Sequence, residues 1–354
     1  MSKSIDIAKE IMGAIGANDE VSTVKIWLDT GFPPLNRIVS GRYYGGGMPS
    51  GRVIELSGPE SSGKTAIANE IMKSAQRMGG IAAFFDHERS FDTELAERGG
   101  LDVTPGRFVF KRGRTYEQPV VETIKLLRIV REKKLIAKDA PIAIVWDSLA
   151  SMVPQQIAEK SADALNMNDN TALARATSAS FKMIAQACDD HNAILIVLNQ
   201  TRTKIGVMFG DPTTTPGGDA IKFYCSVRIR LGKTMIKKSA SDSTKIGQQI
   251  GAECIKNKVS VPFRKCKWNF MFNDDGTGSF DIEGSLVEYL CEHEIVEPGG
   301  KTSAYCFWEG EKITKKKLAS LIRTDATVAE KIKALLTKAD PDDRKEVVEA
   351  AAEA

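Results

Sequence analysis

The chain has 354 residues, of which 42% are hydrophobic and 27% are charged, and its formal net charge is +3. This length favours a main domain with a smaller second unit, because single cores rarely exceed about 250–300 residues. The composition excludes wholesale disorder, and the longest aliphatic run, 193–198, is far shorter than the roughly 18 residues of a membrane span. The N-terminal residues lack a secretory hydrophobic region, so we expect a cytoplasmic protein without membrane contact.

Near the N-terminus, apolar side chains recur at helical spacing between positions 5 and 15 and predict one amphipathic helix. Such a short helix is marginal in water, so its apolar face needs a partner. Packing on its own domain and docking on a neighbouring subunit both meet this need. We assign residues 1–30 as an N-terminal oligomerisation helix and linker.

Short apolar runs rich in β-branched and aromatic residues predict strands that are buried on both faces. These runs occupy 53–57, 81–86, 142–147, 193–199 and 227–231. Helical periodicity lies between them, over 65–78, 117–131 and 171–188. The alternation predicts an α/β domain with a mostly parallel central sheet, which we place at 31–273.

The sequence changes character after about residue 273. A turn cluster precedes a helical pattern at 286–293, an apolar segment at 305–308 and a basic stretch at 312–323. We therefore expect a small α+β C-terminal domain over 274–339. Residues 340–354 carry six acidic and two basic side chains and form a short acidic tail.

The strongest local signal is a GxxxxGK[ST] motif that follows the strand 53–57 and precedes the helix 65–78. Glycines let successive backbone N–H groups surround a phosphate, and the helix dipole favours the negative charge. Lys64 is expected to reach the β- and γ-phosphates, and the Thr65 hydroxyl to hold Mg²⁺. The predicted nucleotide-binding residues are Gly58, Pro59, Glu60, Ser61, Ser62, Gly63, Lys64 and Thr65.

Polar side chains stand at the carboxyl ends of three further predicted strands, where parallel sheets bind ligands. Asp147 closes the strand 142–147 and suits the carboxylate that orients Mg²⁺. Glu88 follows 81–86 and suits a base that positions an attacking water. Gln200 follows 193–199 and is placed to sense a γ-phosphate. The set predicts phosphoryl transfer, and a water-activating carboxylate favours hydrolysis over kinase chemistry.

Residues 201–218 are long for a loop, rich in glycine, and combine two cations with apolar side chains. Loops of this length are usually functional or disordered. Cations beside exposed apolar groups fit single-stranded nucleic acid, with a nucleotide lid or a partner-docking loop as alternatives. The predicted DNA-binding residues of this loop are Arg202, Lys204, Ile205, Gly206, Val207, Met208, Phe209, Gly217 and Gly218.

Several motifs, in the same order, resemble those of the RecA recombinases across roughly residues 30–322. They are GPESSGKT (58–65), FFDHERSFD (84–92), WDSLA (146–150), KIGVMFG (204–210), TTTPGGDAIKFY (213–224) and KNKVSVPF (256–263). The resemblance implies a RecA-like P-loop NTPase core that uses ATP and Mg²⁺. It also implies helical filaments on single-stranded DNA, DNA-dependent ATP hydrolysis, and strand exchange with homologous duplex DNA in recombination and repair.

The resemblance implies roles for individual residues. Glu88 resembles the water-activating carboxylate, and Gln200 resembles the switch between γ-phosphate and DNA loop. Lys256 and Lys258 resemble a pair that reaches the ATP of the neighbouring subunit, as an arginine finger does. Phe223 resembles a subunit-contact aromatic. Further matches are the adenine-contacting acid Asp92, the first DNA loop at 161–171, and the phosphate contacts Arg175 and Lys182.

The chain departs from the family pattern at two positions that bear on ligands. Leu95 stands where the family has an adenine-stacking tyrosine, and the family's methionine that inserts between bases aligns with Asn170 or is displaced to Met167. Two other functions stay open: a filament that acts mainly as a regulatory scaffold or co-protease, and a ring-forming helicase-type motor. Single-strand-binding proteins and loaders are expected partners, with DNA damage and an SOS response as the expected context.

The net charge divides unevenly along the chain, since the tail contributes −4 and residues 1–339 carry +7. We expect the cations Arg228, Arg230, Lys233, Lys237 and Lys238 to lie near the DNA face. The acidic tail is expected to compete weakly with DNA for this basic surface. The lysines at 315–317 either guide incoming duplex DNA or form an ordinary solvated helix face.

Overall fold

The computed structural model describes residues 24–161, 171–203, 213–239, 241–273, 277–300 and 303–339. The strands in these ranges are β1 Trp27–Leu28, β2 Met48–Pro49, β3 Arg52–Gly58, β4 Ile81–Asp86, β5 Phe108–Arg112, β6 Ile142–Asp147, β7 Ala193–Gln200, β8 Arg202–Thr203, β9 Thr213–Thr214, β10 Val227–Lys237, β11 Lys245–Asn257, β12 Lys265–Phe272, β13 Gly278–Asp281, β14 Tyr305–Trp308 and β15 Glu311–Thr314. The α-helices are α1 Pro33–Ser40, α2 Lys64–Arg77, α3 Thr93–Arg98, α4 Glu117–Glu132, α5 Gln155–Ala158, α6 Ala172–Asp190, α7 Gly218–Tyr224, α8 Ile282–Glu292, α9 Lys315–Thr324 and α10 Ala326–Lys338. The predicted N-terminal helix, the acidic tail, Asn170 and the loop residues 204–209 lie outside the described residues.

A nine-stranded sheet runs through the described structure in the order β13-β12-β11-β10-β3-β7-β6-β4-β5. The six strands from β10 to β5 pair in parallel, and β11, β12 and β13 extend the sheet antiparallel. The predicted α/β class with a mostly parallel central sheet is confirmed. In register, Gly58 lies beside Gln200, and Asp86 lies beside Asp147. The carboxyl ends of β3, β7, β6 and β4 therefore meet at one edge.

Helices cover both faces of the sheet, because its central strands carry apolar side chains on both faces. On one face, Ile54 and Leu56 of β3 pack in a core with α1, α2 and the C-terminal helices α8, α9 and α10. On the other face, Val53 and Trp146 pack in a second core with α4 and α6. Successive side chains of β3 therefore alternate between these two cores.

The five predicted strands are present, but β10 continues to Lys237, beyond the predicted end at residue 231. Its outer half turns back into β11, with which it pairs along its whole length. Strands β11 and β12 escaped the sequence pattern because partly or fully exposed residues interrupt their buried ones, and β5 and β13 escaped it because they contain no buried residue. Continuous apolar runs mark only strands that are covered on both faces.

The C-terminal region contains the predicted helix, observed as α8, and α9 carries the lysines at 315–317. The domain boundary after residue 273 stays a prediction, and β13 pairs with β12 across it, so the large sheet includes residues on both sides. Among the described residues, no helix has both the length and the apolarity that crossing a membrane requires.

Candidate nucleotide site

The P-loop lies between β3 and α2, where the motif predicts it. Gly63 is the N-cap of α2 with a φ of 83°, a left-handed conformation that favours glycine. Lys64 is buried, and its Nζ donates hydrogen bonds to the carbonyl oxygens of Gly58 at 3.2 Å and Pro59 at 2.8 Å. Burial lowers the pKa of Lys64. A phosphate would offer this ammonium group a charged acceptor in place of neutral carbonyls.

The two predicted Mg²⁺ ligands meet in the structure, since the Thr65 hydroxyl donates to Asp147 Oδ2 at 3.1 Å. Asp147 ends β6, and its peptide bond to Ser148 is cis. Burial is the main cause that raises the pKa of Asp147 to about 7, and the negative charge of Glu88 is the second cause. A hydroxyl and a carboxylate are oxygen donors of the kind that Mg²⁺ binds, and a cation would offset the cost of burying the carboxylate. These residues therefore fit Mg²⁺.

Three strand ends converge on Glu88. Its Oε1 accepts hydrogen bonds from Gln200 Nε2 at 2.9 Å and from Ser148 Oγ at 2.5 Å. The loop that carries Glu88 is held by Asp86, a fully buried carboxylate that accepts from the backbone N–H groups of residues 89–91 at 2.6 to 3.4 Å. A positioned, half-buried carboxylate of this kind suits a base that orients water.

These groups line one cavity of about 440 Å³. Gln248 of β11 and Phe270 and Phe272 of β12 complete its wall, and none of them was predicted. Gln248 Nε2 donates to the carbonyl oxygen of Ser61 at 3.0 Å and so ties the P-loop to β11. The aromatic residues at alternate positions of β12 share one face of the strand, which was the available sequence signal. Only the antiparallel extension of the sheet brings that face to the P-loop.

A second cavity, of about 790 Å³, adjoins the P-loop through Thr65. Asp92 and Leu95 line it, so the positions expected to meet the base lie beside the phosphate cavity. Asp92 Oδ1 accepts from the backbone N–H of Leu95 at 2.9 Å and caps α3. Asn69, which was not predicted, also lines this cavity, and its Oδ1 is buried without a hydrogen-bond partner in the described structure.

Lys256, Lys258 and Phe223 lie together outside the P-loop cavity. Lys256 Nζ donates to the carbonyl oxygens of Lys222 and of Phe223, the latter at 2.9 Å, where the negative end of the α7 dipole favours a cation. Lys258 Nζ lies 5.3 Å from the centre of the Phe223 ring. Burial, and then the charge of Lys258, lowers the pKa of Lys256. Phe223 is 66% exposed, and aromatic side chains are enriched at protein–protein interfaces.

Comparison with known proteins agrees with the motifs, since residues 27–277 match the RecA N-terminal domain family. The chain belongs to the RecA family. Protein RecA of Roseiflexus sp. (strain RS-1) is 37% identical over 257 residues, which cover 72% of this chain and 67% of that protein. Protein RecA of Frankia alni is 33% identical over 346 residues, which cover 94% of this chain and 92% of that protein. The resemblance to RecA-type recombinases is therefore confirmed.

Three of the RecA-family positions expected to touch DNA lie on α6 and β8. Arg175 and Lys182 are exposed on α6, and their spacing of seven residues places them on one helix face. Arg202 is exposed on β8, which pairs with β9. Their contacts with DNA stay a prediction, as do those of residues 204–209.

Gly217 and Gly218 have a structural role at the start of α7. Their φ angles are 97° and 69°, in the left-handed region. A Cβ atom on Gly217 would lie 2.7 Å from Leu149 Cδ2, and one on Gly218 would lie 2.8 Å from Ala174 Cβ. Close packing therefore accounts for both glycines in this RecA-family chain, and their contact with DNA stays a prediction.

Three cations that were expected near the DNA face have partners within the fold, and their place near DNA stays a prediction. The Arg228 side chain is 13% exposed, and its Nε lies 2.6 Å from Glu55 Oε2. Arg230 pairs with a carboxylate of β11 at 3.0 Å. Lys233 Nζ donates to the carbonyl oxygen of Glu60 in the P-loop at 2.6 Å. Strand pairing, which sequence spacing does not reveal, directs these side chains.

Proposed function

We propose that this chain is an ATP-dependent recombinase that forms helical filaments on single-stranded DNA. It hydrolyses ATP to ADP and phosphate in a DNA-dependent way and exchanges strands with homologous duplex DNA in recombination and repair. The hydrogen bond from Gln200 to Glu88 inside the P-loop cavity carries this proposal. This hydrogen bond joins Glu88, the proposed catalytic base, to the strand that leads into the predicted DNA loop. The setting is the cytoplasm, with single-strand-binding and loader proteins as partners.

Hydrolysis requires a water oriented toward the γ-phosphate and compensation of the developing charge. Glu88 orients that water and accepts its proton once Gln200 has turned away, while Ser148 still holds its carboxylate. Lys64 leaves the P-loop carbonyls and binds the β- and γ-phosphates. Thr65 and Asp147 hold Mg²⁺, which neutralises charge on the phosphate oxygens when bound.

The base of the nucleotide occupies the cavity that adjoins the P-loop. Asp92 offers a carboxylate oxygen, and Asn69 offers a buried amide oxygen, to an exocyclic amino group such as that of adenine. Leu95 is half-exposed there and contributes apolar contact without aromatic stacking. Selection for adenine therefore rests on hydrogen bonds more than on stacking.

Gln200 links the nucleotide to the DNA loop. Its Nε2 donates to Glu88 in this structure, and the oxygens of a γ-phosphate are charged acceptors that compete for the same donor. When Gln200 turns toward the nucleotide, Glu88 is released to orient water and the start of β8 moves with Gln200. Nucleotide state and loop position then change together.

The cations Lys256 and Lys258 act on the ATP of a neighbouring subunit. They lie outside the P-loop cavity of their own subunit and beside the exposed Phe223. An adjacent subunit in a filament brings such a surface to the nucleotide, where cations stabilise the developing negative charge. Hydrolysis is then an interface reaction, and isolated subunits hydrolyse ATP slowly.

The first test measures phosphate release from ATP in the presence of Mg²⁺, with and without single-stranded DNA. The second uses electron microscopy of the protein with single-stranded DNA and a non-hydrolysable ATP analogue. We expect DNA-stimulated hydrolysis, right-handed helical filaments, and strand exchange only with homologous duplex. Lys64→Ala should reduce hydrolysis by about a hundredfold or more, since it removes a cation at the transferred phosphate. Lys111→Ala, on the edge strand β5, serves as the matched control. Hydrolysis that does not respond to single-stranded DNA would contradict the proposal.

A further inference from the structure

A buried carboxylate lies in the middle of three neighbouring strands, directly below the nucleotide edge of the sheet. Glu55 of β3 is completely buried. Its Oε2 lies 2.6 Å from Nε of Arg228 on β10, and its Oε1 accepts a hydrogen bond from Nδ2 of Asn199 on β7 at 3.0 Å. Both carboxylate oxygens are therefore used, and the buried negative charge is balanced by a single cation, as a stable buried carboxylate requires.

Asn199 makes three hydrogen bonds in different directions. Its Nδ2 donates to Glu55 and also to the carbonyl oxygen of Pro216 at 2.9 Å, and its Oδ1 accepts from the backbone N–H of Gln200 at 3.1 Å. An ionised carboxylate only accepts hydrogen bonds, so Glu55 requires the NH₂ group of Asn199 on its side. The Asn199 oxygen is thereby left for Gln200. Glu55 thus determines which way the Asn199 amide faces.

The partners of Asn199 stand at the two ends of the predicted DNA loop. The chain leaves the sheet at Gln200, forms β8, returns through β9, and reaches Pro216. β8 and β9 pair as a two-stranded ribbon, with Arg202 opposite Thr214. Gly217, which follows Pro216, is fixed in turn by a hydrogen bond from the Thr177 hydroxyl to its carbonyl oxygen at 2.7 Å. Asn199 therefore holds both arms at the foot of the β8–β9 ribbon.

The same residues adjoin the catalytic carboxylate and the interface cations. Gln200 donates to Glu88 on one side of Asn199. On the other side, Arg228 lies opposite Lys256 in the pairing of β10 with β11. One connected set of hydrogen bonds thus extends from Glu88 through Gln200, Asn199 and Glu55 to the strand beside Lys256.

We propose that Asn199 and Glu55 are positioning residues that couple Gln200 at the nucleotide site to the foot of the β8–β9 ribbon. Arg228 balances the charge that holds them in place. A rotation of Gln200 toward a nucleotide moves its backbone N–H, and Asn199 transmits that movement to Pro216 on the returning arm. The inference rests on the proposed DNA-dependent ATPase function, and it names the residues through which DNA and nucleotide act on each other.

The experiment compares wild type with Asn199→Leu, which keeps the side-chain size and removes all three hydrogen bonds. The readouts are affinity for a fluorescent ATP analogue, hydrolysis without DNA, and the ratio of hydrolysis with single-stranded DNA to hydrolysis without it. We expect nucleotide affinity and DNA-free hydrolysis to be retained. The stimulation ratio should fall by about tenfold, a magnitude typical of coupling between sites.

Two further variants separate coupling from simple loss of structure. Thr123→Val is the matched control, because it removes a different buried hydrogen bond, the one that Trp146 Nε1 of β6 donates to Thr123 Oγ1 of α4 at 3.1 Å. It should leave the stimulation ratio unchanged. Glu55→Gln keeps the shape but allows the Asn199 amide to face either way, so it should lower the ratio less than Asn199→Leu. If Asn199→Leu does not fold, Glu55→Gln decides the question.

The outcomes distinguish failure of this inference from failure of the proposed function. If wild type shows no stimulation by single-stranded DNA, the proposed function is wrong. If wild type is stimulated and Asn199→Leu is stimulated equally, the coupling role is wrong. A variant that loses nucleotide affinity, DNA-free hydrolysis and stimulation in parallel would show only a structural role and would also overturn the inference.

Discussion

At the scale of single residues, the chemistry depends on how the loop after β4 is held. Asp86 accepts backbone hydrogen bonds from residues 89–91, so the position of Glu88 is determined by a buried carboxylate two residues before it. His87 lies between them, with its backbone N–H bonded to the carbonyl oxygen of Asp147 at 2.6 Å. Its ring packs against Gly113. The loop therefore has little freedom to absorb a change at any of these positions.

Gly113→Ala tests this packing. A Cβ atom at this position would lie 2.1 Å from Cε1 of the His87 ring, so the ring and the loop must move. We expect the free energy of unfolding to fall by about 1–3 kcal/mol, as for other overpacked sites, and hydrolysis to slow because Glu88 follows His87. Chemical denaturation and phosphate release measure the two effects. Gly251→Ala is the control, since its Cβ would meet no atom within 4 Å; equal behaviour of the two variants would contradict the prediction.

His87 also predicts a pH dependence of stability. Burial lowers its pKa, and the nearby charges of Asp86 and Glu122 offset part of the shift. Because the folded-state pKa lies below the unfolded one, the neutral ring contributes stability that is fully present above the unfolded pKa, near 6.5, and is lost as pH falls. The free energy of unfolding should therefore fall between about pH 7 and pH 5, and fall less in His87→Gln. Parallel curves for the two proteins would show that His87 does not contribute.

At the scale of elements, the short helix α7 joins the foot of the predicted DNA loop to the surface around Phe223. It begins at Gly218, directly after the arm that Asn199 holds, and it ends beside Lys256, whose Nζ donates to its terminal carbonyl oxygens. Under the coupling proposed above, a displacement of the returning loop arm would reach the aromatic and cationic surface through this helix. The same helix presents Phe223, which is 66% exposed.

Phe223→Ala should weaken assembly without weakening the fold. An exposed aromatic that becomes buried between subunits is a frequent hot spot for binding. The protein concentration needed for filament formation should therefore rise by at least about tenfold. The thermal midpoint of the unassembled chain should stay unchanged because the ring packs little within its own subunit. Sedimentation and electron microscopy measure assembly. Val121→Ala, which changes a 62% exposed apolar side chain on α4, is the control; filaments of normal length in Phe223→Ala would refute the role.

At the scale of the whole molecule, charge is separated between the body and the tail. Residues 1–339 carry +7 and the tail carries −4. Several body cations are engaged within the fold, notably Arg228 with Glu55 and Lys233 with the P-loop. The Arg228–Glu55 pair cancels within the sum, and Lys233 keeps its charge beside a neutral carbonyl, so the body retains its net +7 and the tail's −4 is large in comparison.

Deletion of residues 340–354 should strengthen duplex DNA binding at low salt, because a competing anion is removed from the basic surface. The gain should shrink as salt rises, since screening weakens both attractions. Binding titrations over a range of salt concentrations measure the effect. A full-length chain with the tail acids replaced by their amides should behave like the deletion. Unchanged affinity at low salt in both would refute the competition.

The sequence by itself determined the P-loop, the α/β class and the family. These features are local. The glycines, Lys64 and Thr65 belong to one turn between β3 and α2, and continuous apolar runs indicate the buried parallel strands. The ends of those strands correctly marked Glu88, Asp147 and Gln200 as neighbours. Their closeness was predictable because the last residues of all parallel strands lie at the same edge of the sheet.

Only the tertiary structure decided which side chains bond to each other. Glu88 and Gln200 are 112 positions apart, yet they are hydrogen-bonded because β4 and β7 both flank β6. Arg228 reaches Glu55 through the pairing of β10 with β3, and Phe270 and Phe272 reach the P-loop through the pairings of β10, β11 and β12. Strand order and antiparallel register arise from contacts between distant segments. Local residue patterns do not contain them, and so the hydrogen bonds on which the proposed coupling rests became visible only in the folded chain.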